Sequence, residues 1–156
     1  MKTVNSLPPP EECNCFAVRA AARHVSQCYD QFLAPAGLRT TQYSILARLK
    51  RKGPLTINAL AEDMVMDRTT LGRNILPLER DGLISIEPTA SDRRAKELRL
   101  TKAGEKRLQA ALKRWSQAQA RFETVFGAER AGDLRKLLRA VAASEFAPGK
   151  EPPIRR

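Results

Sequence analysis

Two helix-start signals only eleven residues apart constrain the middle of this chain most strongly. Thr56 precedes a short apolar pattern, and Asp67 precedes a second one that runs from about Arg68 to Arg80. Small polar residues of this kind accept a backbone hydrogen bond in the first turn of a helix. The segment therefore predicts a short helix, a tight turn and a second helix. Their apolar positions recur every three or four residues, as one buried helix face requires: Ile57, Leu60, Ala61, Met64, Leu71, Ile75 and Leu78.

A β-hairpin is predicted directly after this helix pair. Asp81-Gly82 turns the chain, residues 83–87 are rich in β-forming side chains, and residues 95–100 end in apolar–polar alternation. The polar connection contains Asp92, Arg93 and Arg94, and an ion pair between Asp92 and Arg94 is expected to stiffen its tip. Helix, turn, helix and hairpin in this order predict a winged helix-turn-helix.

Longer helical patterns flank this region on both sides. One helix is predicted from about Cys13 to Leu33, and a second begins with Thr40 or Thr41 as its cap. After the hairpin, Thr101 caps a long helix that ends at Gly127, and a sixth helix follows. The fold class is therefore mainly α with a small β-hairpin wing. The apolar stripes outside the winged region predict a helical dimerisation region, since symmetric pairing is the commonest way to cover them.

Composition restricts the function classes. The net charge of +11, from 28 basic and 17 acidic residues, favours a polyanionic partner. No apolar run approaches the roughly 20 residues of a membrane span, and the first ten residues lack the apolar segment of a secretory signal. We therefore expect a cytoplasmic protein without a membrane partner. A single histidine, His24, and the lack of a phosphate loop or nucleophile motif argue against an enzyme.

The second helix of a helix-turn-helix fits the major groove of double-stranded DNA, and its first turns reach the base edges. Arginine can bind guanine, asparagine adenine, and threonine a base or a phosphate. An arginine on a thin loop can enter the minor groove. The predicted DNA-binding residues are therefore Thr56, Arg68, Thr69, Thr70, Arg73, Asn74, Arg93 and Arg94. The alternative is a non-specific architectural nucleic-acid-binding protein, which would lack a palindromic site.

The stretch from Asp92 to Gly104 resembles the wing pattern of the MarR family, Asp-x-Arg-x-x-x-Leu-x-Leu-Thr-x-x-Gly. Residues 41–46, 60–61 and 78–84 also resemble that family, so the resemblance covers about residues 13–145. It implies a homodimer that binds an inverted repeat as a repressor, or sometimes as an activator. It also implies that helix 68–80 is the recognition helix and Arg94 the minor-groove arginine.

The resemblance further implies an effector, either a small phenolic or acidic ligand or an oxidant. The ligand pocket of the family lies between the dimer helices and the winged domain, where Tyr43, His24 and Arg19 are candidates beside ordinary packing or exposure. The predicted organisation is a flexible arm at 1–11, one MarR-like domain at 12–146 and a flexible basic tail at 147–156. Within that domain, 12–36 and 102–146 are the dimerisation helices and 38–101 the winged helix-turn-helix.

Cys13, Cys15 and Cys28 leave three interpretations open: packing, redox-active thiols, or ligands of zinc or an iron–sulfur cluster. Amide groups at a helix start favour a thiolate, and thiolates bind soft metals and clusters. On one continuous helix Cys28 lies thirteen residues beyond Cys15, or about 20 Å at a rise of 1.5 Å per residue. Cys28 can therefore join the other two only from a partner chain whose first helix crosses antiparallel.

Overall fold

The computed structural model describes residues 7–146, which contain six α-helices and three short β-strands. This confirms the predicted mainly helical fold with a hairpin. In chain order the elements are α1 (Asn14–Leu33), α2 (Thr40–Lys52), β1 (Leu55–Thr56), α3 (Ile57–Asp63), α4 (Arg68–Arg80), β2 (Ile84–Pro88), β3 (Lys96–Leu100), α5 (Lys102–Phe126) and α6 (Ala128–Ala143).

The predicted arm and tail fall at the two ends of this description. Residues 1–6 of the arm and the whole tail, 147–156, lie outside the described residues. Pro10–Glu12 forms a 3₁₀ turn, in which the Pro10 carbonyl accepts from Cys13 N–H at 3.1 Å. A turn can form at this end of the predicted arm because the φ that proline fixes suits a 3₁₀ turn as well as an extended chain.

The start of α2 depends on two side-chain acceptors, one from α1 and one from the first turn of α2 itself. The helix begins at Thr40, so the predicted cap at Thr40 or Thr41 is wrong. Thr40 N–H donates to Asp30 Oδ1 at 2.7 Å, and Arg39 N–H donates to Gln42 Oε1 at 2.9 Å. These carboxylate and amide oxygens satisfy backbone donors that a helix start leaves without a partner. A side chain of α1 thereby fixes where α2 begins.

The sheet has three antiparallel strands in the order β1–β3–β2. The hairpin of β2 and β3 was predicted, whereas β1 was not, since two residues are too short for a recognisable pattern. Leu55 and Thr56 pair with Leu98 and Glu97, and Ile86 faces Leu98 from the other side. Because β1 directly precedes α3, this pairing connects the start of the helix-turn-helix to the wing.

One apolar core joins these elements. The predicted inward positions of α4 are buried, which confirms that helix face, and four apolar residues of α2 are buried with them: Leu71, Ile75, Leu78, Tyr43, Ile45, Leu46 and Leu49. Leu33, Leu60 and Leu98 add one fully buried leucine each from α1, α3 and β3. Complete burial of such a side chain contributes about 1.5–3 kcal/mol.

A tight joint connects α4, the wing and α5. Thr101 Oγ1 donates to the Gly82 carbonyl at 2.7 Å and accepts from Gly104 N–H at 3.0 Å, which confirms the predicted helix cap. Thr101 N–H donates to the Leu83 carbonyl at 3.2 Å. Gly104 lies so close to that carbonyl that a Cβ built on it would stand 2.0 Å from the oxygen. Only glycine fits at this point of α5.

The chain divides into two compact units, Met1–Gln119 and Ala120–Arg156. The core lies in the first. In the second, the rings of Phe122 and Phe126 have centroids 5.5 Å apart, and the guanidinium carbon of Arg130 lies 4.3 Å from the centroid of the Phe126 ring. Exposed large apolar side chains remain on α1, α5 and α6: Phe16, Val18, Leu112, Val125, Leu137, Leu138 and Val141. Among residues 7–146, no helix is both long and apolar enough to cross a bilayer.

We predict that Gly104→Ala lowers the free energy of unfolding by about 1–3 kcal/mol, because the new methyl group overpacks against a backbone carbonyl. Gly72→Ala in α4 is the matched control, since a Cβ there meets nothing within 4 Å. It should raise stability by about 0.5–1 kcal/mol through helix propensity. Urea denaturation of both variants measures the difference, and equal effects would contradict the close contact.

Candidate nucleic-acid interface

Side-chain caps define both helices of the helix-turn-helix. Thr56 Oγ1 accepts from Ala59 N–H at 3.1 Å at the start of α3, and Asp67 Oδ1 accepts from Thr70 N–H at 2.8 Å at the start of α4. Both predicted caps are thus confirmed. Hydrogen bonds from Thr70 lower the pKa of the Asp67 carboxyl, so the capping carboxylate stays ionised.

The turn between α3 and α4 contains a backbone feature that the sequence did not reveal. Val65 has a φ of 51°, a left-handed conformation that β-branched residues rarely adopt. Its N–H donates to the Glu62 carbonyl at 3.1 Å, and Met66 N–H donates to the Ala61 carbonyl at 2.9 Å. These bonds hold the turn at a fixed length despite the strain at Val65.

One stripe of α4 points away from the core. Leu71, Ile75 and Leu78 are buried, and successive residues rotate by about 100° around a helix. The side opposite the core therefore carries Thr69, Arg73, Leu76 and Arg80, all of which are exposed. Leu76 was not among the predicted DNA-binding residues, although its spacing of seven from Thr69 and three from Arg73 would have placed it on this face.

The predicted DNA-binding residues of α4 differ in their availability. Arg68 and Arg73 are exposed, and within residues 7–146 their guanidinium groups form no ion pair. The Thr70 hydroxyl donates to Asp67 Oδ2 at 2.6 Å, and Asn74 Nδ2 donates to the Thr70 carbonyl at 2.9 Å. Thr70 and Asn74 therefore already use one donor each within the helix.

The wing tip is stiffened by backbone hydrogen bonds. Asp92 Oδ1 accepts from Arg94 N–H at 2.9 Å, while Thr89 Oγ1 donates to the Asp92 carbonyl at 2.7 Å and accepts from Asp92 N–H at 3.0 Å. The predicted ion pair between Asp92 and the Arg94 guanidinium is therefore wrong, because the short aspartate reaches the nearer backbone donor first. Both Arg93 and Arg94 remain exposed at the tip.

Ion pairs separate the arginines of this region into two groups. Arg99 Nε lies 3.3 Å from Glu87 Oε2, and this ion pair joins the two wing strands. The same guanidinium also pairs with Glu97, two residues away on its own strand. Arg80 pairs with Asp81 at 3.2 Å. Within the described residues, the side chains of Arg68, Arg73, Arg93 and Arg94 have no such carboxylate. Their positive charge is therefore available to a polyanion.

A charged cluster fixes α3 against α2. Asp63 Oδ2 lies 2.8 Å from Arg48 Nε, and its other oxygen accepts from Lys52 Nζ. The hydrogen bond from Lys52, followed by the charges of Lys52 and Arg48, lowers the pKa of the Asp63 carboxyl. Lys50 pairs with Glu105 at 2.6 Å, which similarly connects α2 to α5. The helix-turn-helix is thus held to its supporting helix by charge as well as by the core.

A cleft of about 500 Å³ lies between α2 and α5. Tyr43 and Trp115 stack at its side with ring centroids 5.9 Å apart and planes 10° from parallel. Burial raises the pKa of the Tyr43 hydroxyl. Tyr43 is thus buried in the core and also lines this cleft, so both interpretations of this residue, packing and a ligand pocket, stay open. His24 and Arg19 are exposed on α1 and do not line this cleft.

The three cysteines lie on or beside one continuous helix. Cys13 caps α1, with its Sγ accepting from Phe16 N–H at 3.4 Å, and both Cys13 and Cys15 are exposed. Cys28 is half-buried thirteen residues beyond Cys15. Within residues 7–146 of one chain, no three metal-ligating side chains lie close enough to hold a metal ion. The arrangement agrees with the premise that Cys28 does not reach the other two in its own chain.

A helix-turn-helix followed by an antiparallel wing defines a winged-helix protein. Its family is shown by sequence as well as by fold: the family profile described as "MarR family" matches residues 38–96. The crystal structure of the M. tuberculosis transcriptional regulator MosR is 34% identical, with a TM-score of 0.73, over 87% of this chain and all of that one. The chain therefore belongs to the MarR family, as the wing pattern predicted.

Two further relatives bear on function. MosR has also been solved in complex with DNA, with 37% identity and a TM-score of 0.73 over 85% of this chain and 98% of that one. The organic hydroperoxide resistance transcriptional regulator of Bacillus subtilis is 28% identical over 90 residues, or 58% of this chain. That match spans 61% of the length of the Bacillus protein. These relatives are regulators rather than enzymes.

We predict that Asp63→Asn lowers stability at neutral pH by about 0.5–1 kcal/mol, a value for partly exposed ion pairs. Because the folded pKa of Asp63 is lowered, its contribution is present above the ordinary value of 3.8 and is lost as the pH falls through the folded pKa. The stability of the Asp63→Asn variant should therefore fall less than that of wild type as the pH is lowered. Asp133→Asn is the control, since this exposed carboxylate lies 3.6 Å from Lys136 at the surface. Thermal melting from pH 2 to 7 measures both, and identical acid limbs for Asp63→Asn and wild type would contradict this role.

Proposed function

We propose that this protein is a DNA-binding transcription regulator that acts as a homodimer on an inverted repeat. The observation that carries the proposal is a set of four exposed arginines that have no carboxylate partner within residues 7–146. Arg68 and Arg73 lie on a capped helix, and Arg93 and Arg94 lie on the wing beside it. α4 enters the major groove, and the wing reaches the adjacent minor groove. The solved complex of MosR with DNA supports DNA as the partner.

Each predicted residue then has a role in the complex. Arg68, Thr69 and Arg73 reach base edges from the first turns of α4, while Thr56 contacts a phosphate at the start of α3. Thr70 and Asn74 lie at the side of the same helix. The Thr70 hydroxyl oxygen and the Asn74 amide oxygen remain available as acceptors, and the second N–H of the Asn74 amide remains available to donate to adenine. Arg93 and Arg94 occupy the minor groove, where the negative potential is strongest over narrow A·T tracts.

Dimerisation is proposed for the helices outside the winged region, in residues 12–36 and 102–146. Their exposed apolar side chains support this: Phe16 is 51% exposed, Val125 69% and Leu137 65%. Such side chains are covered when two copies pair about a twofold axis. A dimer also places two recognition helices about one helical turn of DNA apart, which an inverted repeat requires.

Repression follows if the dimer occupies a promoter, and an effector then alters its affinity for DNA. One proposed input is a small ligand in the cleft beside Tyr43 and Trp115. The other is the redox or metal state of Cys13 and Cys15, which are exposed on α1. The relationship to a regulator of organic hydroperoxide resistance favours an oxidant as the signal.

Selection from random duplex DNA tests the DNA-binding proposal. We expect an inverted repeat with half-sites centred about 10 base pairs apart, bound by two protomers. The logarithm of affinity should fall with the logarithm of salt concentration, with a slope of about −0.9 for each phosphate neutralised. Arg73→Ala should weaken binding by about 1–3 kcal/mol and relax the preference at one base pair.

The matched comparison is Arg94→Ala, whose effect should be confined to flanking A·T positions. Titration of single-base operator variants separates the two substitutions. Recovery of unrelated sequences, with equal losses for both variants on every duplex, would instead identify a non-specific architectural protein.

The cysteine proposal concerns a site shared between chains. Cys13 or Cys15 of one chain forms a disulfide with Cys28 of the partner subunit, or these thiolates together hold zinc or an iron–sulfur cluster. In the oxidation, two thiols lose two electrons and two protons to an organic hydroperoxide, which is reduced to an alcohol and water. We expect a covalent dimer on non-reducing gels and an operator affinity changed at least about tenfold, a coupling of ~1.4 kcal/mol.

Cys28→Ser is the control for this experiment, since it should abolish the covalent dimer while leaving Cys13 and Cys15 in place. Metal and sulfide analysis after anaerobic purification tests the metal-bound form. The proposal is contradicted if wild type shows neither a covalent dimer nor bound metal, and a triple Cys→Ser variant keeps the same response to oxidant.

A further inference from the structure

An exposed leucine stands at the centre of the outer face of α4. Leu76 is 64% exposed and lies opposite the buried Leu71, Ile75 and Leu78. Its neighbours along this face are Arg73, one turn before it, and Arg80, one turn after it. At this position, between two arginines, a large apolar side chain can contact an apolar group within an otherwise polar interface.

The surface next to Leu76 is recessed. Gly72 precedes it by four residues and so lies beside it on the helix. A Cβ added at Gly72 would meet nothing within 4 Å, so the space above this glycine is open. Leu76, Gly72 and the methyl-bearing Thr69 together form a shallow apolar notch, which we call the Leu76 notch. Arg73 and Arg80 border it with positive charge.

The major groove offers one apolar group at its base edges, the C5-methyl group of thymine. We propose that the Leu76 notch receives a thymine methyl group and that Leu76 thereby determines specificity at one base pair of each half-site. This inference rests on the proposed function, because it requires α4 to lie in the major groove. The flanking arginines support a DNA partner, since they match the charge of the phosphates and the guanine edge.

The position of this thymine follows from helix geometry. Arg73 and Leu76 are separated by three residues, or about 4.5 Å along the helix axis. Base pairs repeat every ~3.4 Å along one strand. The thymine contacted by Leu76 is therefore the neighbour of the base pair that Arg73 contacts, on the side toward the C-terminal end of α4.

Replacement of thymine by deoxyuridine tests the inference, since it removes the methyl group and leaves base pairing intact. On the selected operator, deoxyuridine at the predicted position should weaken wild-type binding about fourfold per half-site. This factor corresponds to the free energy of burying one methyl group, ~0.8 kcal/mol. Leu76→Ala should bind the two duplexes with nearly equal affinity. Leu76→Met, which retains an apolar side chain, should keep the preference for thymine.

Both substitutions are at an exposed position, so unchanged melting temperatures verify that the fold is intact. The inference is overturned if deoxyuridine at every position leaves wild-type affinity unchanged. It is also overturned if replacing thymine by deoxyuridine lowers the affinity of Leu76→Ala by the same factor as that of wild type. It is also overturned if Leu76→Ala changes self-association or partner binding but not the thymine preference. If selection yields a defined inverted repeat but one of these results is obtained, only the Leu76 inference is contradicted and the proposed function is not. If selection yields no defined site, both the Leu76 inference and the proposed function are contradicted.

Discussion

The contact between Gly104 and the Leu83 carbonyl is the constraint on which the arrangement of the winged region depends. The chain leaves α4 through Gly82, enters the wing at Leu83 and returns to α5 at Thr101, so all three elements meet within a few residues. Thr101 bonds to both sides of this joint. Because the first turn of α5 lies directly on the backbone, the direction of the long helix is fixed relative to the wing.

Ion pairs between arginines and nearby carboxylates explain why the net charge of the chain does not by itself locate the candidate interface. Six arginines lie between β1 and the end of β3, and two of them, Arg80 and Arg99, are paired with carboxylates. The other four lie on the start and outer face of α4 and on the wing tip. The interface is thus defined by which cations lack a carboxylate in the described residues, and this depends on folding.

The sequence was informative where the determining contacts are local. The bounds of α4, the caps at Thr56 and Asp67 and the hairpin follow from residues a few positions apart. The start of α2 could not be predicted in this way, since its acceptor, Asp30, belongs to another helix. The pairing of β1 and the bond between Asp92 and a backbone amide also depend on positions in space. Leu76 was missed for a different reason: only polar residues were considered as readers of DNA.

The hydrogen bonds within the wing tip have a thermodynamic consequence. Thr89, Asp92 and Arg94 form their bonds within a single loop, so the backbone of the tip is already ordered without any partner. In the proposed complex with DNA, binding therefore restricts mainly the side chains of Arg93 and Arg94, at an entropic cost of about 0.5–1.5 kcal/mol each. A loop that had to fold on contact would lose backbone entropy as well, and its association would be correspondingly weaker.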